Sequence, residues 1–171
     1  LTLLCQNRDG YLNLSRLVSR AWQEGQHGGH ALVDAGWITA DTGSGLIALL
    51  GRDSEVGRIA TNQGIEAALA KLRPLARLFP EGLYLELTRC GRDGEENWNT
   101  TALALAAELG LPVIASNDVR FLKQDDFGAH EARVCINQGR VLADPKRTRE
   151  YSDQQYLKTP EEMAELFADL P

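Results

Sequence analysis

Short apolar runs alternate along the chain with stretches in which apolar residues recur every three or four positions. The run at Leu46–Leu50 is typical of a strand that is covered on both faces, and the runs at residues 83–87 and 112–115 predict further strands. Residues 1–4 predict a further short, buried strand, although a run this brief does not distinguish a strand from a helix by pattern alone. Since strands and helices follow one another at this interval, the pattern predicts βα units with right-handed parallel connections.

Helical spacing of apolar residues predicts helices over residues 11–24, 65–79, 95–109 and 127–138, and from residue 160 onward. Pro74 should kink or restart the second of these helices, because proline lacks the backbone N–H. Thr159, Pro160 and Glu162 form a helix start with a capping threonine. Residues 26–30 predict a loop, and residues 33–38 are weakly helical.

About four strands are visible, which is too few to close an eight-stranded barrel. The predicted class is therefore an α/β fold with mainly parallel strands, either part of a closed barrel or a doubly wound sheet. The chain opens at Leu1 and its one methionine is Met163, so we expect a fragment. A fragment should expose a sheet edge and apolar interior, and we expect it to self-associate.

Composition places the chain among soluble globular proteins. Of its 171 residues, 43% are hydrophobic and 25% are charged, which excludes a disordered or fibrous chain. No apolar run approaches the roughly 20 residues that a spanning helix needs, so no membrane association is expected. Cys5, Cys90 and Cys135 are far apart and odd in number, which favours a reducing cytoplasm.

The formal net charge of −6 argues against an autonomous DNA-binding module, although not against a piece of a larger DNA enzyme. The charge is unevenly distributed, because residues 120–149 carry a local excess of bases and the chain from Glu150 onward is acidic. Nucleic acid is one candidate ligand for the basic residues Arg140, Lys146, Arg147 and Arg149. A solvated basic turn is the alternative interpretation.

Candidate chemistry lies in the loops after the strands, where βα proteins bind their ligands. Asp118 follows a buried strand and could ligate a metal ion, or could cap a helix or turn. Cys90 stands at an equivalent place and could be a thiolate ligand, or a small buried residue. Arg52 and Arg120, which also lie in loops after strands, could neutralise a phosphate or stand where a metal once bound.

Several motifs, in order and over nearly the whole chain, resemble the alpha subunits of bacterial DNA polymerase III within their PHP (polymerase and histidinol phosphatase) domain. They are the segments 1–4 with Asn7, 10–14, 45–49, 84–87, 110–121, 129–131, 144–147 and 156–163. The resemblance implies a truncated, distorted βα barrel of the PHP type, of which residues 1–171 are the C-terminal portion. Residues 140–171 would form a tail with a basic segment, an acidic segment and a final helix.

The resemblance also implies what became of the metal centre. Family members with an intact centre carry cysteine at the position of Arg52 and histidine at the positions of Cys90 and Arg120, so only Asp118 keeps the expected ligand type. The opening strand with its histidine-rich motif and the polymerase palm are expected to lie outside the segment. We therefore expect no cofactor here, with Mn²⁺ or Zn²⁺ bound only if a residual site at Asp118 and Cys90 persists. The parent polymerase would use Mg²⁺.

By the same resemblance, the parent is a DNA-directed DNA polymerase, a nucleotidyltransferase of the bacterial cytoplasm that acts in chromosomal replication. The segment itself would be a non-catalytic scaffold that docks the proofreading exonuclease subunit and other polymerase III holoenzyme subunits, with DNA bound through the parent chain. The alternative is a retained metal-dependent phosphoesterase or 3′–5′ exonuclease activity.

Overall fold

The computed structural model describes residues 1–170, which form a mixed α/β fold. The strands are Thr2–Cys5 (β1), Gln26–His27 (β2), His30–Ala31 (β3), Leu46–Leu50 (β4), Leu83–Thr88 (β5) and Val113–Ser116 (β6). The α-helices are Arg8–Glu24 (α1), Ala40–Gly43 (α2), Glu55–Gln63 (α3), Ile65–Leu78 (α4), Glu95–Leu109 (α5), Phe127–Gln138 (α6) and Pro160–Leu166 (α7). Short 3-10 turns occupy Ala35–Trp37 and Gln124–Asp126. None of the helices in residues 1–170 has the length and apolarity to cross a bilayer.

The main sheet has four strands in the order β1-β4-β5-β6. Strands β4 and β5 are parallel, with Ala48 opposite Leu83. Strand β1 is antiparallel to β4, with Thr2 opposite Leu49. The helices that connect the later strands complete a mixed α/β architecture with a parallel pair, as expected of part of a βα barrel. The predicted fold class is confirmed.

The chain divides into two compact units. The first contains residues 1–86 and 101–114, and the second contains residues 87–100 and the chain from Ala115 onward. The first unit has a leucine-rich core, whose largest fully buried side chains are Leu50, Leu72, Leu83, Leu85 and Leu105. The second unit buries many polar side chains: Thr88, Glu95, Asn99, Asn117, His130, Glu131 and Gln155. Most of these side chains form hydrogen bonds within the unit, whereas His130 Nε2 and Glu131 Oε1 are buried without a hydrogen-bond partner among the described residues.

Strand β1 forms where the sequence predicts it, but the prediction that it is buried is wrong. Leu4 is 47% exposed, and only Leu3 of this strand is even half-buried. The reason is its place at the end of the sheet order, where β4 pairs with one side of its backbone only. Self-association across this edge stays a prediction.

Most predicted helices form, and their differences from prediction have local causes. Helix α1 begins three residues earlier than predicted, because the Asn7 side chain accepts a hydrogen bond from Gly10 N at 2.9 Å and caps it. Helix α5 has the predicted bounds, and the Thr159 capping box starts α7. The predicted loop at 26–30 is instead the small antiparallel hairpin β2–β3.

Helix α3 was not predicted from the sequence, and α4 is one continuous helix with Pro74 inside it. Of the two outcomes predicted for Pro74, the restart is therefore wrong and the kink stays a prediction. The break between α3 and α4 lies at Gly64, whose φ of +91° is a backbone conformation that residues other than glycine rarely adopt. Ser54 caps α3 by accepting a hydrogen bond from Gly57 N at 3.1 Å.

The closest backbone approach in the first unit is at Gly10, and it predicts that this position does not tolerate a side chain. A Cβ on Gly10 would lie 1.8 Å from the carbonyl oxygen of Gly45, which a rotamer change cannot relieve. We expect Gly10→Ala to lower the free energy of unfolding by about 2–4 kcal/mol. Gly128→Ala is the matched control, since nothing lies within 4 Å of its Cβ position. It should be neutral or stabilising by up to about 1 kcal/mol. Urea unfolding checks both, and equal effects would contradict the expectation.

Candidate functional site

The second unit brings together three of the four residues predicted at the strand ends. Asp118 and Arg120 follow β6, and Cys90 follows β5. Arg52 belongs to the first unit, where its Nε lies 3.3 Å from Asp53 Oδ1.

Asp118 holds an ion pair on each of its carboxylate oxygens. Arg92 Nη1 lies 2.9 Å from Oδ2, and Arg120 Nη2 lies 2.8 Å from Oδ1. Gln155 Nε2 donates to Oδ2 at 2.9 Å and to the Asp118 carbonyl at 3.1 Å. The backbone of Asp118 has φ +41°, the one positive value among non-glycine residues in the described chain. This strained conformation is held in place by the surrounding donors.

These contacts decide what the Asp118 carboxylate can do. A metal ion ligated there would have to displace or lie beside two guanidinium groups, whose charges oppose a dication. Arg120, predicted at a former ligand position, instead supplies the positive charge itself. Asp118 and Arg120 are therefore brought together as an ion pair.

Cys90 is fully buried, and its thiol acts as a hydrogen-bond donor. Its Sγ donates to the Asn117 carbonyl oxygen at 3.2 Å. Burial, reinforced by the negative charge of Glu95, raises the pKa of the Cys90 thiol to about 11. A thiolate is the form that binds metal ions, and this environment favours the neutral thiol.

Glu95 is the centre of the buried network, a role that the sequence analysis missed. Its side chain is 3% exposed. Its two oxygens accept hydrogen bonds from Thr88 Oγ1 at 3.0 Å, Cys90 N at 2.7 Å, Arg92 N at 3.1 Å and Arg92 Nε at 3.0 Å. Burial by itself would raise the pKa of Glu95, but these hydrogen bonds outweigh it and the pKa is lowered. The carboxylate therefore stays charged and fixes the loop between β5 and α5.

The segment after residue 150 completes the network, and its role was also missed. Gln155 is fully buried, and its Oε1 accepts a hydrogen bond from Ser152 N at 3.0 Å. Its backbone carbonyl accepts another from Arg120 N at 2.8 Å. Asn117 Nδ2 donates to the carbonyl oxygens of Gln154 and Tyr156, at 2.9 and 2.6 Å. The predicted tail is therefore hydrogen-bonded to the Asp118 loop.

Arg89 holds the final helix in the same way. It forms ion pairs with Glu96 at 3.1 Å and with Asp169, and its Nη1 donates to the carbonyl oxygen of Leu166 at 2.8 Å. Its guanidinium also lies 5.1 Å from the ring centre of Phe167. Because this side chain reaches α7 from the end of β5, the acidic C-terminal segment is an ordered part of the second unit.

Residues 1–170 contain no group of three or more histidine, cysteine, aspartate or glutamate side chains arranged to hold a metal ion. Of the predicted ligands, Asp118 is ion-paired on both oxygens and Cys90 is a buried thiol. The donor set that the chain presents here does not fit a dication.

The predicted nucleic-acid residues differ in their surroundings. The Arg147 side chain is 6% exposed and forms an ion pair with Glu131, so it faces the interior. Arg140 is 57% exposed, with its Nη1 3.6 Å from Asp144 Oδ2. Lys146 and Arg149 are exposed, and neither side chain has an ion-pair partner within the described chain.

Comparison with known proteins identifies the family of the chain. Residues 1–90 match the PHP domain model, and the chain belongs to the PHP domain family. Over its full length the chain is also similar to DNA polymerase III subunit alpha, with 54% identity to the subunit of Xylella fastidiosa, 48% to that of Pseudomonas aeruginosa and 44% to that of Escherichia coli. It spans 14–15% of the length of these relatives.

The lowered pKa of Glu95 predicts a pH-dependent stability. Its ordinary value is 4.5, so the stabilisation is complete above that pH and is lost as the pH falls through the lower, folded-state pKa. We expect Glu95→Gln to reduce the free energy of unfolding by about 2–4 kcal/mol at neutral pH, and by less near pH 3. Urea unfolding at both pH values measures this difference.

The control for that experiment is Glu96→Gln. The Glu96 side chain is 68% exposed and pairs with Arg89 at the surface. Its removal should cost less than about 1 kcal/mol. Equal losses in the two variants would contradict a special role for Glu95.

The environment of Cys90 predicts unequal thiol reactivity. Cys5 is exposed, whereas Cys90 and Cys135 are buried. At about pH 8 we expect one thiol per folded chain to react quickly with iodoacetamide, and mass mapping should place the label on Cys5. Rapid labelling of Cys90 in the folded chain would show a thiolate there and would reopen its assignment as a metal ligand.

Proposed function

We propose that this chain is a structural segment of the PHP domain of a bacterial DNA polymerase III alpha subunit, with a degenerate metal site and a subunit-docking role. The observation that carries the proposal is the pairing of Asp118 with both Arg92 and Arg120. At the position where the family's metal-binding pattern is best preserved, protein cations neutralise the carboxylate. The site therefore stabilises the fold in the way that a bound ion would.

The similarity to alpha subunits supports the wider context. We infer a parent that carries out template-directed DNA synthesis with Mg²⁺ in the bacterial cytoplasm, within a holoenzyme that includes a proofreading exonuclease subunit. The segment then contributes surface and rigidity, because Glu95 and Asp118 are engaged in holding its loops together. The alternative activity, a metal-dependent phosphoesterase or 3′–5′ exonuclease, requires donors that Arg52 and Arg120 do not supply.

Metal analysis tests the degenerate site. We expect the purified chain to hold far less than one equivalent of Mn²⁺ or Zn²⁺ after dialysis against either ion, by mass spectrometry. Asp118→Asn should leave that content unchanged but lower the free energy of unfolding by about 1–3 kcal/mol, because Arg92 and Arg120 lose their shared partner. Asp125→Asn, at an exposed position that has no ion pair within residues 1–170, is the matched control and should change stability by less than about 0.5 kcal/mol.

Stoichiometric metal that is lost in Asp118→Asn would overturn this assignment, as would chelator-sensitive hydrolysis of a phosphodiester. The docking role has a separate test, which is calorimetric titration of the chain with a bacterial proofreading exonuclease subunit, with and without EDTA. Binding of equal strength in both conditions is expected. Loss of binding in EDTA would indicate a metal-dependent interface instead.

A further inference from the structure

A cleft with basic walls lies in the second unit, in the segment from the end of α6 to Glu150. It has a volume of about 340 Å³. We call it the basic cleft, and its lining residues are Gln138, Arg140, Lys146, Arg147, Thr148 and Glu150. Three of these six side chains are cationic and one is anionic. The cleft is therefore a candidate site for an anion.

Within the described chain, not every charged side chain of the basic cleft has a close ion-pair partner. Glu150 accepts a long hydrogen bond from Gln138 at 3.4 Å. Arg140 is 3.6 Å from Asp144, at the outer limit of an ion pair, and is mostly exposed. The ammonium group of Lys146 has no side-chain partner among residues 1–170. Lys146 is thus unpaired and Arg140 loosely paired, beside the hydroxyl of Thr148. The carboxylate of Glu150, which no cation pairs with among residues 1–170, is the one negative charge in the lining.

Arg147 provides the fixed wall of the cleft. Its ion pair with Glu131 is 94% buried on both sides, since each side chain is 6% exposed. Truncating one member of such a pair is costly, so Arg147 anchors the turn and does not bind a ligand.

Backbone hydrogen bonds hold the turn that carries Lys146. Asp144 Oδ1 accepts from Lys146 N at 2.9 Å, and the Asp144 carbonyl accepts from Arg147 N at 3.2 Å. At the other side, Arg140 N donates to the Cys135 carbonyl at 2.8 Å, where α6 ends at Gly139. Arg140 and Lys146 are thus presented from a turn that is pinned at both ends, which lowers the entropy lost on binding.

We propose that the basic cleft binds a phosphate group of a DNA backbone, with Arg140 and Lys146 as the contacting residues. A phosphate offers several acceptor oxygens and a negative charge, which suits an arginine fork and a lysine ammonium. The positive surface also continues past the cleft, because Arg149 follows Thr148 directly and is exposed without an ion-pair partner. A chain of phosphates matches that extension better than a single small anion does. The contact is independent of base sequence.

Fluorescence anisotropy of a labelled duplex oligonucleotide tests the proposal with the 171-residue chain. In about 50 mM NaCl we expect weak binding, and Lys146→Gln or Arg140→Gln should each weaken it about 3- to 10-fold. Each substitution should also reduce the slope of the logarithm of the binding constant against the logarithm of the NaCl concentration by about one. Arg8→Gln is the matched control. It removes the same charge from an exposed position in the first unit and should change affinity less than about 2-fold.

A second arm distinguishes DNA from free phosphate. Inorganic phosphate should compete with the oligonucleotide more strongly than NaCl of equal ionic strength, and this excess should vanish in Lys146→Gln. Equal losses in all three variants would show a general charge effect and overturn the proposal. Absence of DNA binding overturns the proposal as well. If the chain then binds inorganic phosphate in a way that depends on Lys146, the cleft is a site for a small phosphate instead.

Discussion

The buried carboxylate of Glu95 is the group on which the second unit depends. Four donors converge on its two oxygens, and two of them are backbone N–H groups of the loop between β5 and α5. A charge at 3% exposure would be strongly unfavourable without such compensation. The loop conformation and the ionised carboxylate therefore require each other, and Arg92 is held by Glu95 in the orientation from which it reaches Asp118.

Arg92 forms ion pairs with both Glu95 and Asp118, so the protein itself supplies the positive and the negative charges of this site. Glu95 and Asp118 supply two negative charges, while Arg92 and Arg120 supply two positive ones. Adding a dication to this neutral set would leave an excess of two positive charges in a partly buried place, which is unfavourable at a low effective dielectric constant. Arginine at such a position thus does more than fail to ligate a metal ion, because it also satisfies the neighbouring carboxylate.

Periodicity was enough to predict the alternation of strands and helices, the bounds of α5 and the position of Asp118 after a strand. It could not identify Glu95, since an acidic residue in the first turn of a helix is typical of an ordinary dipole interaction. The sequence could not identify the role of Gln155 for a different reason. Gln155 lies 37 residues from Asp118 in sequence, and no local pattern encodes a contact that the folded chain alone brings about. The antiparallel edge position of β1 is likewise a property of pairing rather than of its own four residues.

The arginines of the second unit show why residue type alone does not assign a role. Arg92, Arg120 and Arg147 each have a carboxylate of the same unit within ion-pair distance, and their charges are used within the fold. Lys146 has no such partner, and Arg140 has a distant one. The local basic excess seen in the sequence therefore overstates the charge available to a ligand, because it counts Arg147, whose charge Glu131 cancels. What distinguishes a structural cation from a ligand-binding one is whether the fold already supplies its counter-charge.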